Sequence, residues 1–387
     1  MGTPTSSPDQ RQYVGVIEVY FHLGELYFWA PVLASLEFGP GERVCLLFTS
    51  EELHKQFLAD PLLSHAIANS PVDVVLVGAR YPRHGNLWER GWSFLKRLVM
   101  RPWLRKRLMA VLDGSDRFFA QIAGGQAEKL LRGRRTFTGV VRFPHTSSAQ
   151  IMDADKVREH RHRMLPPDER LLLLDPEAVP YYEAWGVEHP VVLGHHALAP
   201  RWLELAREVA GGSGGHAVIF SFAAREDMLP RKDWEQLHRT AVAGIRSVYG
   251  DIPIVIKPHP NQDARALRAF VRSNRWKGVE VRTDHPLLVS LDAVVGVGFL
   301  TGGLYNTMQL DIPSINFFAS HDVYAQNYGA VIVNWSALGA GDADNEEEFF
   351  RLLRQAKSGE LTTDFGTRKR SIPLITSWAE LERAIDA

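Results

Sequence analysis

The chain has 387 residues, 45% hydrophobic and 23% charged, ordinary proportions for a folded globular protein and wrong for a disordered or fibrous one. Lys and Arg number 44 against 45 Asp and Glu, a formal net charge of -1, so there is no global basic field for coating nucleic acid. Cys45 is the only cysteine, which excludes an internal disulfide and any zinc site built on paired cysteines, and it fits a reducing cytoplasm. At roughly 150 residues per domain the length predicts two domains.

Residues 1–10 are polar and rich in Pro and Ser, and read as a flexible tail without the apolar run of a secretory signal. YVGVIEVYF follows as a buried strand of β-branched and aromatic residues, and HLGELYFWAPVLASLE as a helix that contains Pro31. RVCLLFTS is a second buried strand, EELHKQFLA a helix and PVDVVLVGA a third strand. The pattern restarts at TFTGVVRFPHTSS, a strand running into a polar loop, and continues through the short strands ERLLLLD and HPVVLG to the helix RWLELAREVA. GGSGGH reads as a flexible joint.

A second series opens there. AVIFSFA, IPIVIKPHP, VEVRT, LDAVVGVG and SINFFA read as strands, separated by the helices KDWEQLHRTAVAGIRSVYG, ARALRAFVRSN and LTGGLYNTMQL. NEEEFFRLLRQAK and SWAELERAIDA are amphipathic helices near the end. Apolar strands alternating with helices predict parallel sheets with crossover helices. The fold class is therefore α/β, with two doubly wound, Rossmann-like domains facing a cleft. The boundaries fall at 11–197 and 216–387 with a hinge at 198–215, and the last helix is free to pack back on the first domain. Ligands of such sheets bind beyond the carboxyl ends of the strands. No run reaches the ~18 apolar residues of a membrane-spanning helix.

Two motifs sit at such strand ends. The strand LDAVVGVG runs into Phe299-Leu300-Thr301-Gly302-Gly303, which opens a helix. Small residues, free N–H groups and the positive helix end suit a phosphate there, with Thr301 as cap or phosphate donor. The alternative is an ordinary N-cap with close helix–strand packing. The spelling is neither a Walker loop nor GxGxxG, so neither an ATPase nor an NAD enzyme is indicated. The second motif is Lys257-Pro258-His259-Pro260-Asn261, where two prolines hold Lys257 and His259 beyond the sheet edge to meet a diphosphate or a sugar.

The K-P-H-P-N loop, the glycine pair about forty residues later and the D-I-P-S-I-N that follows resemble the C-terminal half of GT-B-type glycosyltransferases, in particular those that build bacterial capsules and surface polysaccharides. The UDP-N-acetylglucosamine 2-epimerases are similar in the same places, and Glu25 with Ala30-Pro31 keeps the spacing of their E-x-x-x-x-A-P helix. The departures are specific. Phe21-His22-Leu23-Gly24 stands where epimerases carry G-T-x-P. Leu304 to Thr307 replaces their Q-E-E run and its ribose-binding glutamate, leaving Asn306 as the candidate to hold a ribose. The resemblance implies a metal-independent transferase that moves a sugar from a nucleotide donor, UDP- or CMP-linked, to a glycan or lipid-linked acceptor in surface-polysaccharide synthesis. It implies that the C-terminal domain holds the donor through Ser221, Arg225, Lys257, His259, Thr301, Gly302, Gly303 and Asn306, and that the N-terminal domain holds the acceptor. An NDP-sugar 2-epimerase or a non-catalytic protein on the same scaffold are the competing readings.

The base that takes the acceptor's proton is sought among Glu25, His145 and His22, at or after first-domain strand ends. Asp153 and Asp155 spell D-x-D, but the charged run KVREHRHR behind them reads as a solvated face, so no metal and no other cofactor is expected. His195 and His196 read as groups that order the joint. Between Arg90 and Arg107 lie seven basic residues and no acidic one, interleaved with Trp92, Phe94 and Trp103. Arg97, Arg101, Arg105 and Lys106 make this a patch for an anionic membrane or acceptor, broken into two short helices at Pro102. The expected location is the cytoplasm, at the inner face of its membrane. No nucleic-acid partner is expected.

Overall fold

A computed structural model describes residues 13–20, 22–80, 102–113, 115–122, 124–131, 140–144, 169–184, 186–212, 214–226, 229–260, 262–318, 335–336 and 338–387. His145, Arg97, Arg101, Asn261, Asp153 and Asp155 lie outside these residues.

Among the described residues two parallel sheets form. The first contains β1 (Gly15–Val19), β2 (Val44–Ser50), β3 (Val72–Arg80), β4 (Phe118–Gln121), β5 (Val140–Phe143), β6 (Arg170–Leu173) and β7 (Pro190–Val192), in the order β3-β2-β1-β4-β5-β6-β7. The second contains β8 (His216–Phe220), β9 (Ile254–Lys257), β10 (Val279–Val281), β11 (Ala293–Gly298), β12 (Ser314–Phe317) and β13 (Gly341–Ala343), in the order β10-β9-β8-β11-β12-β13. Each order reverses beside its first strand, between β1 and β4 and between β8 and β11, where a doubly wound sheet opens a crevice at its carboxyl edge. The architecture is the two-domain α/β arrangement read from the alternation of strands and helices.

The strands form because they bury both faces, which is why they read as continuous apolar runs. Ile17, Val19, Leu46 and Phe48 face one core of the first sheet, while Val16, Cys45 and Leu47 face the other. Ile219, Ile256 and Val297 likewise face one core of the second sheet, and Val218, Phe220 and Val255 the opposite one.

Between the two sheets the helix Pro200–Ala210, read as a helix from the sequence, buries Trp202, Leu203, Leu205 and Ala206 in the first core together with Leu287 and Leu288 from the short helix Pro286–Ser290. Only its end is glycine-built, with Gly211 and Gly212 at φ of 69° and 67°, which other residues rarely adopt.

The helix Trp378–Asp386 belongs to the first core as well. Trp378 is fully buried, stacks on Phe38 at 5.6 Å and meets the edge of Phe119 at 5.6 Å. Gly15 has no alternative beneath it, since a Cβ there would lie 2.8 Å from both the Phe119 and the Trp378 rings.

Candidate active site

The residues singled out in the second half converge on one edge. Ser221 directly follows β8, Lys257 ends β9, and the Thr301 turn follows β11. Register ties the three together: Phe220 pairs with Lys257 and with Gly298, the Ser221 N–H donates to the Lys257 carbonyl (2.9 Å), and the Phe299 N–H to the Phe220 carbonyl (3.3 Å). Ser221 and Thr301 thus flank the β8/β11 crevice, with Lys257 one strand away.

The Thr301 turn is built by packing more than by glycine freedom. Leu300, not a glycine, takes the left-handed conformation (φ 52°), and the buried Asn316 amide holds it there by accepting from the Leu300 N–H (3.0 Å). Gly303 is required by space, because a Cβ would meet Phe220 Cδ1 at 2.6 Å. Thr301 caps the turn, its hydroxyl accepting from the Gly303 N–H at 3.3 Å. Asn306 donates to the Gly303 carbonyl (3.0 Å), so its amide braces the same turn. The helix that follows is short, a 3-10 turn Gly302–Leu304 and then Tyr305–Met308, so its dipole is correspondingly small. Gly302 is exposed at the rim.

Lys257 is 7% exposed, and burial pulls its pKa down to about 8, against the pull of Asp60 and Asp284 in the other direction. Among the described residues its ammonium makes one long bond, to the Pro258 carbonyl at 3.4 Å. Asp60 comes from the first half, where Oδ1 caps the helix Pro61–Ala68 by accepting from the Leu62 and Leu63 N–H groups (3.1 and 3.0 Å). The two halves also meet where Tyr27 lies edge-on to His285 at 4.5 Å. His259 packs on Phe222 at 5.1 Å. Burial, and then the Lys257 charge, lower its pKa to about 4, so it is neutral near pH 7 and offers a ligand an N–H or a lone pair, not a positive charge. Arg225 is exposed, and its backbone pairs with that of Leu229.

The first-half candidates are differently placed. Glu25 is fully buried, and its Oε2 accepts from the Tyr20 N–H at 2.6 Å, which anchors the helix Gly24–Ser35 to the end of β1. His22 Nδ1 accepts from the Gly24 N–H (2.9 Å) at the start of that helix.

Glu18, which sequence reasoning passed over, lies in β1 beside the β1/β4 crevice. One oxygen accepts from the Gln126 and Ala127 N–H groups (2.8 and 2.9 Å), while among the described residues Oε2 has no partner and rests against Gly125. Burial raises its pKa to about 7, so it can gain or lose a proton near neutrality. A charged residue inside the apolar run YVGVIEVYF was its signal.

Of the basic segment, Trp103, Lys106 and Arg107 are exposed, with Arg107 over the Trp103 ring at 4.9 Å. Arg105 is turned inward, its Nε donating to the Leu130 carbonyl (2.8 Å). His195 lies at the joint, 2.9 Å from the Asp175 carboxylate, which also pairs with Lys369 at 2.8 Å. Among the described residues no three His, Cys, Asp or Glu side chains are grouped to hold a metal ion, and no helix is long and apolar enough to cross a membrane.

No family model and no curated protein matches the chain. Solved structures do. A Listeria monocytogenes protein provisionally assigned as a UDP-N-acetylglucosamine 2-epimerase is similar at 11% identity over 92% of this chain and 91% of its own, with a TM-score of 0.56. The wall teichoic acid polymerase TagF is similar at 9% identity over 97% and 88%, with a TM-score of 0.54. The UDP-GlcNAc 2-epimerase of Methanocaldococcus jannaschii, solved with UDP-GlcNAc and UDP, is similar at 14% identity over 93% and 98%, with a TM-score of 0.53. Together with the two sheet orders, these likenesses define the fold as GT-B-like.

Proposed function

We propose that this protein is a GT-B-like enzyme of nucleotide-sugar chemistry, and specifically a metal-independent glycosyltransferase acting on a glycan or lipid-linked acceptor in bacterial surface-polysaccharide synthesis. The observation that carries the reading is Lys257, a buried cation at the carboxyl edge of the second sheet, beside the β8/β11 crevice and, among the described residues, without a close carboxylate partner. A group desolvated and left under-bonded in this way gains most from an anionic ligand, and a donor's phosphates supply one. In the transfer step the Lys257 ammonium would stabilise charge building on the leaving phosphate. Fold likeness to TagF supports the polysaccharide setting. The exposed Trp103–Lys106–Arg107 face would seat the enzyme on the inner face of the cytoplasmic membrane.

A thermal-shift panel of UDP, GDP, CDP, CMP and dTDP tests the reading. One nucleotide should stabilise the protein and lose that effect in Lys257→Met; stabilisation by none rejects it. The competing reading, an NDP-sugar 2-epimerase, is favoured by the likeness to the Methanocaldococcus jannaschii enzyme. Incubation with UDP-N-acetylglucosamine alone separates the two, because only an epimerase yields the 2-epimer without an acceptor.

A further inference from the structure

The turn between β4 and the helix Gln126–Leu131 is held from two sides by carboxylates. From the helix, Glu128 Oε2 accepts from the Gly125 N–H (2.8 Å). The Arg142 guanidinium bonds both Glu128 oxygens (2.9 and 2.8 Å), and burial is outweighed by these bonds, so the Glu128 pKa is lowered and the group stays ionised. From below, Glu18 reaches up out of β1 and is 1% exposed. Its Oε1 accepts from the Gln126 and Ala127 N–H groups (2.8 and 2.9 Å), whereas Oε2 has no partner among the described residues. That oxygen takes the space a side chain on Gly125 would need, since a Cβ there would overlap it. Gly125 is buried and Gly124 half-buried, and Gly124 gives the turn a joint at φ 78°.

A carboxyl with one unbonded oxygen is tolerated in a dry site while it is neutral; once ionised, that oxygen demands a donor or water. The donors around Glu18 are already engaged. The Gly125 N–H is taken by Glu128, and Lys129 lies over the Tyr20 ring at 4.9 Å. The helix at 102–112 covers the same face of the sheet, and its Arg105 is turned to the Leu130 carbonyl (2.8 Å). β2 sets Leu47 opposite Glu18 and, on the same face, the Cys45 thiol, whose pKa burial pushes up to about 12.

We propose that Glu18 is a proton-operated latch on the Gly124–Gly125 turn: neutral, it lies dry beneath a closed turn, and ionised, it admits water and lifts the turn from β1, widening the β1/β4 crevice. The latch belongs to the first half and stands apart from the nucleotide-sugar reading. Burial raises the Glu18 pKa from 4.5 to about 7, with Glu128 pushing the same way and the Ala127 and Gln126 bonds and Lys129 opposing. In the lifted turn the carboxyl is hydrated and returns to 4.5. Between these two values the closed turn holds a proton that the lifted one releases. Lifting therefore gains about tenfold per pH unit up to about pH 7 and levels off above it.

Hydrogen–deuterium exchange from about pH 5 to about pH 9, each rate divided by that of the unstructured sequence at the same pH, tests the latch. Protection of the Gly125, Gln126 and Ala127 amides should fall about tenfold per unit up to about pH 7 and stay level above it. The Val218, Ile219 and Val255 amides of the second sheet should not follow. Glu18→Gln keeps the shape and the Oε1 acceptor but has no proton to lose, so the turn should stay protected with a flat profile. Gly125→Ala drives a methyl into the place of Oε2 and should leave the turn unprotected at every pH, with the second sheet still protected.

A flat wild-type profile, or a slope that survives in Glu18→Gln, overturns the latch. So does a slope shared equally by the second sheet, which marks global unfolding, and so does wild-type protection in Gly125→Ala. Where Gly125→Ala does not fold, the wild-type and Glu18→Gln profiles decide.

Discussion

Lys369 and Lys257 are both withdrawn from water, at 1% and 7% exposure, and they are held in opposite ways. Lys369 lies at the junction of the two halves, 2.8 Å from Asp175 and 2.7 Å from Glu177, with His195 on the same Asp175 carboxylate. Its charge is answered by the chain itself. Among the described residues Lys257 has a single long bond to a carbonyl, and the carboxylates of Asp60 and Asp284 act on it through space. A buried charge whose bonds are complete serves cohesion, whereas one left incomplete is suited to complete its bonding with a ligand.

The largest expected effect breaks the junction. Lys369→Met leaves Asp175 buried without its cation and should cost about 3–5 kcal/mol, read as a lowered urea midpoint with nucleotide affinity preserved in the folded fraction. Lys257→Met should do the reverse. It removes a desolvated charge and so changes stability by no more than about 1 kcal/mol, while the affinity for a phosphate-bearing ligand falls about ten- to hundredfold by calorimetry. A variant that loses stability but keeps affinity would make Lys257 a second structural lysine.

The two sites should also separate along the pH axis. Asp175, held down to about 2 despite its burial by His195 and Lys369, contributes stability that is present above its ordinary value of 3.8 and is lost as pH falls through about 2. Lys257 responds at the alkaline end. Between about 8 and 10.5 the unfolded chain holds a proton that the folded one lacks, so its contribution to stability rises with pH there. Ligand affinity runs the other way and falls above about pH 8, because the anion needs the ammonium. Urea midpoints across pH should lose the alkaline rise in Lys257→Met and keep the acid loss.

The smallest effects lie in the Thr301 turn. Thr301→Val removes a cap and should cost about 1 kcal/mol, whereas Thr301→Ser keeps the hydroxyl and should cost a few tenths. If nucleotide affinity follows stability rather than exceeding it, the turn is a bracket for the site and not part of it.

Much of this architecture was legible because a strand buried on both faces writes itself as an unbroken apolar run. GVIEV, VCLLFTS, HAVIF and AVVGVG are such runs. FFAQ and GDA passed unread as β4 and β13, since strands of four and three residues are specified by the ladder they join and not by their own composition. The gathering of Ser221, Lys257 and Thr301 on one sheet edge was legible for a related reason, since all three stand at the ends of apolar runs that form neighbouring strands. The pairing of Asp175 with Lys369 spans 194 positions that no local pattern connects. The glycines next to an amphipathic helix gave no sign that Trp202 and Leu205 of that helix share a core with Leu287 and Leu288 from the second half.

The seat of Trp378 has a consequence for biosynthesis. The groove between Phe38 and Phe119 belongs to elements made early, yet the indole that fills it lies at the far end of the sequence. As the chain emerges from the ribosome, the first sheet must wait, with an apolar slot open, until nearly all of the second has been translated. A chain cut short before Trp378 should therefore keep its first core unsealed, with the faces of Phe38 and Phe119 uncovered.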